Sequence, residues 1–209
     1  MYDFNSIIPV PKELLGERVL LEPLEPKHVP NLYEASHKDE RAKSVFKYLP
    51  YGPFESAEAY LEWVVNGPRL RADPRALPFC IIDRKSQRAV GVISFLNAEP
   101  EHKGVEVGHI WITPEYQRTY VNTEANYLLF TYAFDTLGYI RVQWKCNHKN
   151  EISRNAALRL GYKYEGTLRN HMILPNGDIR DSDYFSVTDV EWPEVKSMLL
   201  AKMKSYVSL

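Results

Sequence analysis

One ordered run constrains this chain more than anything else in its 209 residues. A β-branched and aromatic stretch from Val105 to Thr113 meets Pro114, and a polar turn follows. A long helical pattern starts near Thr123 and reaches residue 137, where Gly138 supplies its stop. Arg141 to Cys146 reads as a second strand, and a second helix opens at Asn150 and stops at Gly161. Within the first helix, Ala125, Leu128, Leu129, Tyr132 and Ala133 share one face, widened by Phe130, Phe134 and Leu137. A helix that apolar is expected to pack on the centre of a sheet. Strand, loop, helix, strand, helix, in that order, is where the chemistry is expected.

The flanks read as parts of the same domain. Arg18 to Leu24 is a strand ended by Pro23 and Pro26, and Pro26 to Lys38 an amphipathic helix. Ser56 is a credible N-cap for a helix with Ala59, Tyr60, Trp63 and Val64 on one face. Pro74 and Pro78 bracket a turn before Phe79–Asp83 and Ala89–Ala98, adjacent antiparallel strands around a charged hairpin. Beyond Gly161, Tyr162 to Arg169 is a strand, Pro175 to Asp178 a turn, and Tyr184 to Val187 the returning strand. Trp192 to Tyr206 ends the chain as a helix with Val195, Met198, Leu199 and Met203 inward. The expectation is an α/β fold: an arm over residues 1–17, then one domain over 18–209.

Composition narrows the function classes. A net charge of −1 offers no global field for nucleic acid or an anionic membrane. No apolar run is long enough to span a bilayer and no secretory pattern opens the chain, so the expected location is cytoplasmic. Cys80 and Cys146 both sit in apolar strand-like runs and read as buried thiols, with no metal-ligand spacing. The expectation is therefore no metal, no nucleic acid and no membrane, in a monomer or homodimer.

The central stretch resembles the GNAT acyl-CoA N-acyltransferase superfamily, nearest its Rim-type branch of ribosomal-protein N-terminal acetyltransferases. The residues that carry this are Glu106-Val107-Gly108, Ile110, Trp111, Pro114, Thr123-Glu124-Ala125, Ala133-Phe134, Leu137-Gly138 and Arg141-Val142. Asn150, Ser153, Leu160-Gly161-Tyr162, Glu165-Gly166 and Arg169 continue the set. The resemblance implies a single, mostly antiparallel mixed sheet in which two parallel strands splay and acyl-CoA lies in the V. It implies acetyl-CoA as co-substrate, with Ile110 and Ile112 offering backbone to pantetheine. Gln117, Arg118, Thr119, Tyr120, Val121 and Asn122 would cradle the pyrophosphate at the helix beginning at Thr123. A helix start favours an anion there in any case, through its unpaired N–H groups and dipole. The family usually has two glycines in that loop, where this chain has Tyr120 and Asn122. From Arg141 to Lys163 six basic residues face one acid, Glu151; Arg154, with Arg118, is a candidate for phosphate, although such runs are commonly solvated helix faces.

Acyl transfer to an amine needs a neutral amine, a polarised carbonyl and a protonated leaving thiolate. Glu106 is the best-placed carboxylate for the base, acting through water, and equally suits a structural carboxylate paired with a neighbouring strand. His109 has the opposite strand parity, which argues against a direct Glu106–His109 dyad. Ala157 stands where many members of the family carry an acidic Tyr, and by resemblance Ser153 is the Rim-type substitute. Asn150 could bind pantetheine or simply pair with Ser153 at a helix start. Trp111, Trp144, Tyr164, Tyr184, His171, Arg169 and Asp183 could line the acceptor side. The expected activity is acetyl transfer to a primary amine, on a peptide N-terminus or a small molecule. The alternative is an acyl-CoA-binding module weakened or inactive in turnover.

Overall fold

Among the described residues, eight strands form one sheet in the order β1-β2-β3-β4-β5-β6-β8-β7. They are β1 Leu14–Leu15, β2 Val19–Pro23, β3 Leu77–Asp83, β4 Arg88–Glu99, β5 Gly104–Ile112, β6 Arg141–Asn147, β7 Lys163–Ile173 and β8 Ile179–Thr188. This computed structural model describes residues 8–66, 73, 75–174 and 177–206. Pro74, Pro175 and Asn176, all assigned above to turns, lie outside the described residues, as does the start of the arm. Within the span expected to be an arm, Leu14–Leu15 pairs with Leu20–Leu21 of β2.

Every neighbouring pair is antiparallel except β5 and β6. A parallel neighbour needs a long crossover, and the crossover here is α4 (Tyr120–Phe130) with its continuation through Thr136 as a π-helical turn. The other helices are α1 Val29–His37, α2 Glu40–Lys43, α3 Ala57–Asn66, α5 Glu151–Arg159 and α6 Trp192–Ser205.

Two cores lie on the two faces of the sheet. On one face, Val105, Val107, Val142, Trp144, Phe185 and Val187 pack with Ala125, Leu129 and Phe130 of α4, Ala156 and Ala157 of α5 and Leu199 of α6. On the other, Val92 and Trp111 pack with Val29 and Leu32 of α1 and Tyr60 and Val64 of α3. Tyr60 and Val64 are inward as expected, but Ala59 is exposed: α3 turns a narrower stripe to the sheet. Glu124, buried in α4, fixes the crossover to the sheet by accepting the N–H groups of Arg18 (2.8 Å) and Val19 (3.2 Å).

The parallel pair is short. Gly104 pairs with Arg141, Val105 with Val142 and Glu106 with Gln143, and there the pairing ends. Beyond that point each strand is held only on its outer side. β5 stays on β4 out to Gly91–Ile112, and β6 stays on β8 out to Asn147–Ser182. The two therefore diverge, leaving inner edges whose N–H and C=O groups need partners from elsewhere.

Candidate active site

Glu106 sits at the vertex of the divergence and is 3% exposed. Three donors converge on its Oε2: Asn97 Nδ2 at 2.9 Å, Gln143 Nε2 at 3.4 Å and Lys145 Nζ at 3.3 Å. Asn97 reaches it from a bulge in β4, with φ of 48°. The carboxylate is thus paired with both neighbouring strands, and its side chain points away from the α4 core because Val105 and Val107 point into it.

His109 does not keep the opposite parity expected of it. Between Val92–Trp111 and Ser94–Gly108, β5 carries two residues against one in β4, and His109 has φ of 50°. The bulge breaks the alternation, so the His109 ring meets Tyr51, 5.5 Å away, within the α1 and α3 core. Glu106 and His109 therefore both lie toward that face.

The helix start also differs from expectation. Thr119 is the N-cap, its Oγ1 accepting from the Val121 N–H at 3.3 Å, and Tyr120, Val121 and Asn122 are the first helical residues. Thr123 is consequently one turn inside and buried, not at the mouth. The free N–H groups of this helix start are those of Thr119 to Asn122, with Val121 partly engaged by the cap. Arg118, exposed with φ of 60°, holds the left-handed geometry that a glycine would adopt more readily. Tyr120 needs no such geometry in a helix. Its phenol donates to Asp83 Oδ1 at 2.5 Å, and Arg18 lies over the ring at 4.9 Å, so the side chain is anchored against the β3 end. Burial, then the Asp83 carboxylate, pushes the Tyr120 hydroxyl up, and it remains a donor. Gln117 Nε2 donates to the Ile112 carbonyl at 3.0 Å.

On the α4 face, Asn150 caps α5 by accepting from the Ser153 N–H at 3.1 Å. The Ser153 Oγ accepts from the Trp144 indole N–H at 3.0 Å, which leaves its own proton to donate. Ala157 is fully buried. Tyr162, which sequence reasoning treats only as the start of a strand and one residue of the resemblance, is buried between Trp144 and Phe130, its hydroxyl without a hydrogen-bond partner among the described residues. Burial, then the charge of Glu106, raises that hydroxyl well above its ordinary value.

Several expected residues fall elsewhere. Trp144 and Asp183 are on the α4 face, opposite Glu106, because they share parity with Val142 and Phe185. Asp183 is fully buried and accepts from His148 Nδ1 (2.9 Å), Arg154 Nη1 (3.1 Å) and Thr167 Oγ1 (2.6 Å). Arg154 is thereby engaged, and it also lies over the Tyr164 ring at 5.2 Å. Trp111 is buried in the α1 and α3 core and Arg169 is exposed. Tyr184 and His171 do lie on the Glu106 face, joined at 3.4 Å. Among the described residues no cluster of His, Cys, Asp or Glu could hold a metal, and no helix is long and apolar enough to cross a membrane.

A sheet that parts at a parallel pair, with a carboxylate at the vertex, is the arrangement that the resemblance to the acyl-CoA N-acyltransferases implied. Residues 18–163 match the family described as Acetyltransferase (GNAT) domain, and the chain belongs to that family. It is an acyltransferase. Over 179 residues it is 28% identical to a Bacillus subtilis (strain 168) protein provisionally named ribosomal N-acetyltransferase YdaF, covering 85% of this chain and 95% of that one. A GCN5-related N-acetyltransferase from Brucella melitensis is 35% identical with a TM-score of 0.86, over 93% of this chain and 87% of that one. RimL, a ribosomal L7/L12 alpha-N-protein acetyltransferase, shares the fold at a TM-score of 0.71 and 23% identity, over 84% of this chain and 93% of its own.

Proposed function

We propose that the chain is an acetyl-CoA-dependent N-acetyltransferase that moves the acetyl group to a primary amine by direct attack in a ternary complex. The observation that supports this best is the parting of β5 and β6 beyond Glu106–Gln143, with a carboxylate on one face and a hydroxyl on the other. The residues fit such a co-substrate. The start of α4 directs N–H groups outward beside Arg118, and the Tyr120 ring is tied to Asp83. The inner edge of β5 offers Ile110 and Ile112 to an extended amide chain, although the Ile112 carbonyl already serves Gln117. Arg154 contributes less to phosphate than the sequence suggests, since Asp183 holds it.

Bound acetyl-CoA supplies a carbonyl carbon and a thiolate leaving group. The amine lone pair forms the C–N bond as the C–S bond breaks, and the net proton passes from nitrogen to sulfur. Glu106 takes the nitrogen proton through water, and its three donors hold the carboxylate in place. Ser153, its lone pair fixed by Trp144, donates toward sulfur. A second reading gives that donor role to Tyr162, whose buried, partnerless hydroxyl keeps its proton. The names of the relatives favour a peptide N-terminus over a small amine as acceptor.

Titration calorimetry with acetyl-CoA, followed by thiol release over a panel of amines, tests the reading. Binding together with release supports it. Absence of binding, or binding without release on any amine, overturns it.

A further inference from the structure

The Glu106 face carries charge of the sign least expected for an amine-binding surface. By strand parity, Gln143 and Lys145 of β6 and Arg180, Ser182 and Tyr184 of β8 all point to that face, together with Glu106. His171 joins them from β7, because the bulge between Leu168 and Met172 turns it inward to Ser182 Oγ at 3.0 Å. Lys145 is already paired with Glu106, and its Nζ lies 5.9 Å from the centre of the Tyr184 ring.

Arg180 is the anomaly. It is half-buried, and its Nε donates to Ser182 Oγ at 3.0 Å. Among the described residues its guanidinium makes no ion pair, so most of its five donors are unused by the protein. A partly desolvated guanidinium that makes no ion pair of its own, and feels Glu106 only at a distance, is expensive to maintain. Burial, the first cause, pulls the Arg180 group down, and Lys145 and Arg180 add to the burial that lowers His171. By the same parity Arg141 and Lys163 also face that side, where Glu165 and Glu191 pair with them. With His171 neutral, the charges left over are two cations, Lys145 and Arg180, against one anion, Glu106.

Such a surface repels an ammonium ion that arrives alone. It holds an amine that brings its own anion, and the same positive field favours the neutral amine that attack requires. Resting on the acetyltransferase reading above, we propose that the preferred acceptor carries a carboxylate a few bonds from its amine, and that Arg180 recognises it. A planar guanidinium suits a carboxylate by paired hydrogen bonds, which a lone ammonium such as Lys145 cannot reproduce. The shared chemistry is an α-amino group near a carboxylate, whether on a free amino acid or on a peptide with an acidic second residue.

The test measures acceptor binding, not turnover, to the full chain saturated with CoA. Calorimetry compares a free amino acid with its carboxamide, and an Asp- or Glu-second dipeptide amide with its Asn- or Gln-second counterpart. The wild-type chain is expected to prefer the carboxylate member of at least one pair by about tenfold or more, the range of a charge-assisted hydrogen bond. Which pair shows the preference identifies the source. Arg180→Gln should abolish that preference while changing affinity for the neutral member by less than about twofold and leaving CoA affinity intact. Arg180→Lys should restore only part of it. Equal affinity within both pairs, no binding of either member, or equal weakening of both in Arg180→Gln overturns the proposal. Thiol release is assayed separately, so failure of turnover with the preference intact counts against the enzyme reading and not against this one.

Discussion

Replacing Glu106 by Gln removes a base while keeping a shape. Asn97, Gln143 and Lys145 all approach Oε2, so a glutamine amide oxygen can take that position and keep its donors. The amide NH2 then falls where Oε1 stood, beside Gly108, and the lone pair that would accept a proton is replaced by a donor. General base catalysis is worth about 10²- to 10⁴-fold, so the barrier should rise by about 3 to 5 kcal/mol. Two side effects are bounded by the structure. Lys145 loses its counter-ion, but its side chain is 20% exposed, and the stability cost should be on the order of 1 kcal/mol. The free N–H groups at the start of α4 lie on another element and share no hydrogen-bond partner with Glu106, so acetyl-CoA affinity should hold within about twofold. Steady-state kcat over roughly pH 6–9 is the assay, with calorimetry on the same samples. A kcat unchanged across that range, or a fall matched by lost CoA affinity, refutes the assignment of Glu106 as base.

Ser153→Ala and Tyr162→Phe separate the two candidate donors: the true one should lower kcat by about 10- to 100-fold, while the other changes it less than about twofold, read by thiol release. Arg118→Gly should move two observables in opposite directions. Relief of its left-handed backbone stabilises the fold by about 1 kcal/mol, seen as a higher Tm, while loss of the cation weakens acetyl-CoA binding. Burial opposes ionisation of Asp183, yet its bonds from Thr167 and His148 and the nearby charges hold its carboxyl below the ordinary value. That contribution is present above the unfolded value near ~4 and is lost as pH falls through the folded one. Asp183→Asn should cost on the order of 3 kcal/mol at neutral pH and flatten the acid limb of Tm against pH; an unchanged acid limb counts against it.

The strand–helix–strand–helix order is legible because each element has a strong local signal. The apolar face of α4, the Asn150 cap and the stop at Gly161, with its φ of 95°, are set by neighbours in sequence. Thr119 is an available cap, but the apolar pattern begins further along and conceals it, so a start read from that pattern falls a turn late. Positions that depend on pairing are harder to read. His109, Asn97 and Asn170 sit in bulges with positive φ, and each bulge reassigns the faces of the residues around it. Nothing local marks them, because the extra residue exists only relative to a partner strand. The same limit hides the face on which Asp183 and Trp144 lie, and makes Arg180 look like one more hairpin charge. The two-residue β1 and the four-residue α2 are too short to show a period.

The opening between β5 and β6 is built from the outside. Each strand is kept from its neighbour by a partner on the far side. Gly91 shows how little slack that leaves. An added Cβ there would lie 2.3 Å from the Trp111 carbonyl oxygen, a backbone atom that cannot rotate away. Gly91→Ala must therefore shift β5 off β4, toward the opening, at a cost of about 1–3 kcal/mol. Gly104→Ala, which meets nothing within 4 Å, supplies the control in β5 itself. If the opening is set by the outer pairings, Gly91→Ala loses acetyl-CoA affinity at temperatures where circular dichroism still reports a folded chain, and Gly104→Ala keeps it. Equal affinity in the two variants would mean that the inner edges find their spacing without β4, and that the outer pairings do not set the width of the opening.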